Sequence, residues 1–322
     1  MNADTKGRML LIINPRSGIK KNGATFERVR EIFIHSGWEL DTVFTEYRGH
    51  ATELAESAGE YSRVVCMGGD GTFNEVMNGV LKLPRQTELG YIPAGSTNDF
   101  AAGLGLPRKL SKSAKFASEH FTQPTDVGVF TADSGESRHF SYVASFGLFT
   151  QISYATNQKY KNIFGHMAYV FEGIRTIGDL GKFKPFRMRI ELEDGTALEQ
   201  EYIFGAVTNS TSLGGLMKLD KKNVHVSDGR FELLLVRKPK NLTDLTQTVS
   251  ALIHHHYRSE NIIFGHVERI KMISDAPLNW TLDGEFAGEV STADISVSAG
   301  ALSLVRPEGV RKKPFVFNKR VV

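Results

Sequence analysis

Val64-Val65-Cys66-Met67-Gly68-Gly69-Asp70-Gly71-Thr72-Phe73-Asn74-Glu75 carries the reading that decides the fold. An apolar run enters a cluster of glycines, and after it Phe73, Val76, Met77, Val80 and Leu81 recur at helical spacing. The order is buried strand, glycine turn, helix start. A helix start presents unpaired N–H groups and the positive end of its dipole, which suits an anion. Glycine lets backbone approach a phosphate closely. Asp70 inside such a loop would repel a bare phosphate, and a cation such as Mg²⁺ between the two resolves the conflict. The stretch therefore points to a nucleotide-phosphate site. It is not a Walker A loop, because no Gly-Lys-Ser/Thr follows. Thr72-x-x-Glu75 before the apolar run also fits a helix capping box.

Upstream, the apolar run Met9–Ile13 ends in the turn Asn14-Pro15-Arg16-Ser17-Gly18. A helical pattern over 24–35, an alternating strand Trp38–Thr45 and a helix near 51–58 follow. Downstream, Leu89–Ile92 runs into Pro93-Ala94-Gly95-Ser96-Thr97-Asn98-Asp99-Phe100, a second glycine turn that opens a helix. Strands alternating with helices predict an α/β domain, a parallel sheet with helices on both faces. Ligands of such sheets bind beyond the carboxyl ends of the strands. The loops at Asn14, Gly68 and Gly95 are expected to gather on that edge.

After Pro124 the pattern turns β-rich, with strands expected near 126–130, 140–146, 186–192, 201–207, 231–236, 267–273, 279–282 and 295–304. Asp194-Gly195 reads as a hairpin turn. Helical patterns fall near 165–177 and 242–254. The expectation is a second domain of two packed sheets, a β-sandwich. Hydrophobic residues make up 41% and charged residues 23% of the 322, as in ordinary globular chains. A net charge of +3 is too mild to argue for nucleic acid. The single cysteine, Cys66, rules out an intrachain disulfide and allows a reducing compartment. The polar start Met1–Arg8 does not read as a signal peptide. No apolar run reaches the ~18 residues of a membrane span. A cytoplasmic protein with at most peripheral membrane contact is expected, and a homodimer is left open. His254-His255-His256 has the wrong spacing for a helical metal-ligand pair and reads as a helix end.

Gly68-Gly69-Asp70-Gly71-Thr72 with Asn74-Glu75 resembles the signature of the diacylglycerol kinase catalytic superfamily. Asn14-Pro15-x-Ser17-Gly18, Pro93-x-Gly95-Ser96-x-Asn98-Asp99-Phe100-Ala101 and Asp283-Gly284-Glu285 stand in that family's order and span nearly the whole chain. The resemblance implies a nucleotide-binding α/β domain over 1–125, with 307–322 returning to it, and a β-sandwich lipid domain over 126–306. The active site is then expected in the interdomain cleft. It implies phosphorylation of a lipid hydroxyl by ATP and Mg²⁺ at a membrane surface, with diacylglycerol the default acceptor. Other acceptors, such as sphingoid lipids or NAD, and a low-turnover binding role are the alternatives.

The same resemblance implies roles for individual residues. Gly68, Gly69, Gly71, Thr72, Asn74 and Glu75, with Ser96 and Asn98, belong to the loops around the nucleotide. Asn14, Arg16 and Thr45 match positions near it. Asp70, Asp99 and Asp126 form a network that reaches Mg²⁺ through water, which suits an ion that takes few direct carboxylates; helix capping is the plain alternative for Asp99. Glu285, or Asp283 beside it, is the base on the lipid hydroxyl, against the plain reading of Asp-Gly as a hairpin turn. Asp228, with the carbonyls of His225 and Arg230, matches a segment that holds a second, structural Mg²⁺, although Lys221-Lys222-Asn223 departs from the usual pattern there. Lysines 159, 161, 182 and 184 and the Arg311–Lys313 run are candidates for lipid headgroups. Phe146, Phe149, Phe164, Tyr169 and Phe171 are candidates for an acyl pocket or for core.

Overall fold

The computed structural model describes residues 6–18, 23–147, 185–213, 217–257 and 259–308. The helix expected near 165–177, the four lysines at 159–184, Phe149, Phe164, Tyr169, Phe171 and the basic tail lie outside these residues. The chain divides into two compact units, Met1–Asp126 with Ala299–Val310, and Val127–Ser298.

Unit one runs β1 (Arg8–Ile13), α1 (Gly23–His35), β2 (Glu39–Phe44), α2 (His50–Glu56), β3 (Arg63–Gly68), α3 (Asp70–Val80), β4 (Glu88–Pro93), α4 (Asp99–Leu104) and α5 (Leu110–Glu119). The spatial order is β2-β1-β3-β4, and each neighbouring pair is parallel. α1 packs with α5, and α2 packs with α3. Met9, Leu11, Ile13, Val65, Met67 and Ile92 form one core with Val29 and Phe33 of α1 and Ala114 and Ala117 of α5. Leu10, Ile12, Val64 and Cys66, which alternate with them, are buried too. A strand buried on both faces needs a continuous apolar run, which is why these strands do not alternate in sequence. Burial also pushes the Cys66 thiol well above its ordinary range. Edge strand β2 is only partly buried and carries the mixed sequence Glu-Leu-Asp-Thr-Val-Phe.

Arg63 opens β3 and is almost fully buried. Its Nε donates to Glu88 at 2.8 Å, its Nη1 to the Ala117 carbonyl at 2.5 Å and its Nη2 to the His120 carbonyl at 3.2 Å. The guanidinium also lies 4.8 Å over the Trp38 ring. One side chain thus joins β3 to β4 and to the end of α5. A buried cation is tolerated when its donors are matched in this way.

β5 (Thr122–Ala132) leaves unit one. Unit two contains β6 (Ser137–Phe140), β7 (Val143–Gly147), β8 (Phe186–Leu192), β9 (Ala197–Thr208), β10 (Ser212–Leu213), β11 (Met217–Lys218), β12 (Phe231–Arg237), α6 (Leu242–Ile253), β13 (Ile262–Val267), β14 (Arg269–Leu282) and β15 (Glu285–Val305). Its pairings are antiparallel. β7 and β8 each bridge β9 and β14, along different halves of those longer strands. Phe130, Trp280 and Phe146 pack in sequence within its core as tilted rings, with centroids about 5 Å apart. Phe146 is fully buried, so its role is packing. The histidine run ends α6, and the His254 ring lies 2.8 Å from the Ser250 carbonyl.

The chain returns to unit one earlier than position 307. Gly300 N–H donates to Asp126 Oδ1 at 2.7 Å, and Ser303 and Leu304 of β15 pair in parallel with Glu88 and Leu89. Arg306 donates to Thr125 Oγ1 at 2.8 Å and to the Pro124 carbonyl at 2.7 Å. The sequence gives no sign of this point, because one strand continues through the change of partner.

Candidate functional site

The strand order of unit one locates a ligand edge. The chain passes from β1 to β2 on one side and from β3 to β4 on the other, so the order reverses between β1 and β3. Ligands of open parallel sheets bind outside the carboxyl ends of the strands at such a point. The loops that leave these ends are tied in a row. Thr45 N–H donates to the Ile13 carbonyl at 2.9 Å, Asn14 N–H to Met67 at 2.9 Å and Ala94 N–H to Gly68 at 2.6 Å. Gly18 has φ 63, and a Cβ there would come 2.2 Å from the Ala94 oxygen. A Cβ on Gly95 would come 2.6 Å from Gly69 Cα. These glycines therefore let the three loops touch one another, a use of glycine separate from the phosphate approach expected of it.

Side chains complete the row. Asn14 Oδ1 accepts Arg16 N–H at 2.9 Å, and Asn14 Nδ2 donates to Thr72 Oγ1 at 2.9 Å. The turn role of Asn14 and a link to the Gly68 loop thus coexist. The capping-box reading of Thr72 and Glu75 is corrected: α3 starts at Asp70 after Gly69, and Thr72 already lies inside its first turn. The Thr72 hydroxyl is used by Asn14, and the Glu75 carbonyl accepts Thr52 Oγ1 at 3.0 Å. Asn74 accepts from Asn78 Nδ2 through its carbonyl and its Oδ1. Thr45 is buried, whereas Arg16 and Ser96 are exposed.

Asp70 is buried and reaches across to the next loop. Its Oδ2 accepts Asp99 N–H at 2.9 Å, and its Oδ1 accepts Phe100 N–H at 3.3 Å and Tyr91 OH at 3.4 Å. The cap that the plain reading expected of Asp99 is supplied by Asp70 instead. Asn98 is in the left-handed region at φ 53, and its side chain turns back to exchange two 2.8 Å hydrogen bonds with Gly95. The α4 N-terminus draws its acceptor from the loop of the preceding strand, where a carboxylate also meets the positive end of the helix dipole. Phe73 packs against Tyr91 and Phe100 at 4.6 and 5.0 Å and closes the floor behind the carboxylate. Asp70 thus meets Asp99 through the backbone N–H of the latter, and Asp126 is held by Gly300.

In unit two, Asp283-Gly284 is a two-residue hairpin turn with φ 50 and 83, and Leu282 pairs with Glu285 across it. Both central residues take positive φ, as a type I′ turn requires. The Asp283 carboxylate is buried and accepts four hydrogen bonds: Ser141 N–H at 2.7 Å, Ser141 Oγ at 2.8 Å, Tyr142 N–H at 2.9 Å and Val143 N–H at 3.1 Å. Burial pushes this carboxyl above the ordinary range, against the pull of those donors. Glu285, two residues on, is exposed at the start of β15. The turn reading holds, with Asp283 as the clamp and Glu285 as the exposed carboxylate.

Comparison with known proteins bears on both units. Residues 8–130 match the diacylglycerol kinase catalytic domain, and residues 143–306 match the YegS C-terminal NAD kinase beta sandwich-like domain. A diacylglycerol kinase of Bacillus subtilis (strain 168) is 32% identical over 87% of this chain and 90% of its own length. The chain belongs to the diacylglycerol kinase family. A diacylglycerol kinase of Staphylococcus haemolyticus is 31% identical over 87% of this chain and 82% of its own. The crystal structure of a diacylglycerol kinase from Bacillus anthracis str. Sterne covers 95% of this chain and 100% of that one, with a TM-score of 0.71 and 20% identity, a likeness of fold.

Within this diacylglycerol kinase-family chain, the segment expected to hold a structural metal forms an Asp-Gly turn. Asp228 Oδ1 accepts Arg230 N–H at 3.1 Å, and the Arg230 guanidinium pairs with Glu268 at 2.7 Å. Among the described residues no group of three or more His, Cys, Asp or Glu side chains is placed to hold a metal. Sequence reasoning missed Tyr91 and Gly300. Tyr91 carried a signal, a polar-tipped aromatic in an apolar strand just before a glycine loop; Gly300 carried none.

Proposed function

We propose that this protein is a lipid kinase that moves the γ-phosphoryl group of ATP to the hydroxyl of diacylglycerol, giving phosphatidic acid. The observation that carries the reading is the junction at Asp70, which locks the Gly68 and Gly95 loops together beside the reversal point of the sheet. Loops fixed in this way hold their N–H groups in place before a nucleotide arrives, and positioning with charge stabilisation is most of what phosphoryl transfer needs. In this reading the ATP phosphates lie on the Gly68–Thr72 loop of unit one, near Asn14, Arg16, Thr45 and Ser96, and the acceptor is held by unit two.

The residues fit Mg²⁺ carried in by the nucleotide rather than held in a cage of protein ligands. Asp70 and Asp99 offer buried carboxylates beside the phosphate loop, and Mg²⁺ keeps waters and takes only one or two carboxylates when phosphates supply the rest. When bound, the ion would neutralise phosphate charge. Glu285 takes the base role, because Asp283 already accepts four donors. Among the described residues no helix is long and apolar enough to cross a membrane, so the reading has the protein meet its lipid from the membrane surface.

A second Mg²⁺ on Asp228 with the His225 and Arg230 carbonyls is part of the proposal. Mg²⁺ should then raise the Tm of the wild type and leave that of Asp228→Ala unmoved; equal shifts in both would remove this site. The activity itself is tested by incubation with γ-labelled ATP, Mg²⁺ and diacylglycerol in mixed micelles, with NAD in parallel. Label in the lipid is expected, and label in NAD alone would reassign the acceptor.

A further inference from the structure

The loop row extends to the edge strand of unit one, where two aromatic rings stand just past Thr45. Phe44, Ile13 and Met67 are aligned across β2, β1 and β3, so Thr45, Asn14 and Gly68 form the next row. Tyr47 follows Thr45 by two residues. Its ring stacks on His50 with centroids 4.6 Å apart and planes 5° from parallel. Its hydroxyl donates to Glu53 Oε2 at 2.6 Å, and His50 Nδ1 accepts Glu46 N–H at 3.1 Å. The ring is thus fixed by a stack beneath it and a hydrogen bond at its tip. It is nonetheless 53% exposed, and among the described residues no other ring or cation packs on it.

An exposed tyrosine is ordinarily mobile, and ordering it costs side-chain entropy. Here that cost is met within the loop, which leaves a rigid aromatic face open at the ligand edge. Two strand spacings separate the ends of β3 and β2, roughly 10 Å. Phosphates over the Gly68 loop therefore leave a ribose and base to extend along the row toward β2.

We propose that Tyr47, backed by His50, is the stacking platform for the nucleotide base, an inference that rests on the kinase reading above. Stacking on an aromatic face tolerates any base, so the platform recognises that a base is present rather than which one. Affinity for ATP and GTP should then depend on Tyr47 alike, and a ligand without a base should not depend on it.

The test measures ATP binding by calorimetry and KM for ATP in wild type, Tyr47→Ala and Tyr47→Phe, with inorganic tripolyphosphate as a competing ligand. Alanine should weaken ATP about tenfold, on the scale of one lost stack, with the loss falling on KM. Its inhibition by tripolyphosphate should stay at the wild-type level. Phenylalanine keeps the ring and should bind ATP nearly as wild type does. Unchanged ATP affinity in Tyr47→Ala overturns the proposal, and so does an equal loss for ATP and tripolyphosphate, which marks a disturbed loop. A wild type that binds no ATP contradicts the kinase reading and this inference with it, and is distinguished by appearing before any substitution.

Discussion

Asp283 and Glu285 stand two residues apart in sequence and have opposite surroundings. One carboxylate is buried under four hydrogen bonds, and the other is exposed. Asp283→Ala strands three buried N–H donors, so stability should fall by about 3 kcal/mol or more, read as a lower urea midpoint. Glu285→Gln removes the charge of an exposed side chain and keeps its size. Its urea midpoint should hardly move, while transfer to lipid falls about 100-fold, the usual contribution of a lost general base. Full turnover by Glu285→Gln would return the base role to Asp283. The sequence alone could not separate this pair. Asp-Gly marks the turn in either case, and the donors that occupy Asp283 come from Ser141, Tyr142 and Val143, far away along the chain. A similar limit applies at Asp70. Its acidity inside a glycine loop is legible, but its use as the cap of α4 depends on the contact between two loops.

At the scale of elements, the alternation of apolar runs and glycine turns was readable because β1, β3 and β4 are short, buried and each followed by its own loop. Strands β1, β3 and β4 lie within about two residues of their expected positions. Boundaries failed where one element serves two environments. The expected strands near 267–273 and 279–282 are one strand, β14, whose β15 register shifts between Ile273 and Leu278. α5 gives little signal in sequence, since Leu110–Glu119 carries few apolar residues and its buried face is mostly Ser and Ala. That helix is secured by Arg63, which contacts its last turn from the start of β3. Arg63→Ala should cost about 3 kcal/mol, the low end for breaking a buried ion pair, because the Glu88 side chain is 37% exposed and can rehydrate. The cost is measured as the loss in urea midpoint times the m-value. A change below about 0.5 kcal/mol, the range of ordinary surface substitutions, would show that the α5 contacts carry no weight.

For the whole molecule, family membership spans both units, and the proposed chemistry divides between them. In the proposed reading unit one supplies the loops for the phosphate chain, and unit two presents an exposed carboxylate beside a clamped turn. The central claim is that Asp70 makes the first of these competent for transfer to lipid. It is tested most directly by the rate of labelled phosphatidic acid formation from γ-labelled ATP, Mg²⁺ and diacylglycerol, compared between wild type and Asp70→Asn. Asparagine keeps one acceptor for the α4 N–H groups and removes the charge. The account predicts steady product formation by the wild type and a loss of at least 100-fold in the variant, the scale of a lost electrostatic contact in transfer. Near-normal turnover by Asp70→Asn, or no phosphatidic acid from the wild type, would contradict it.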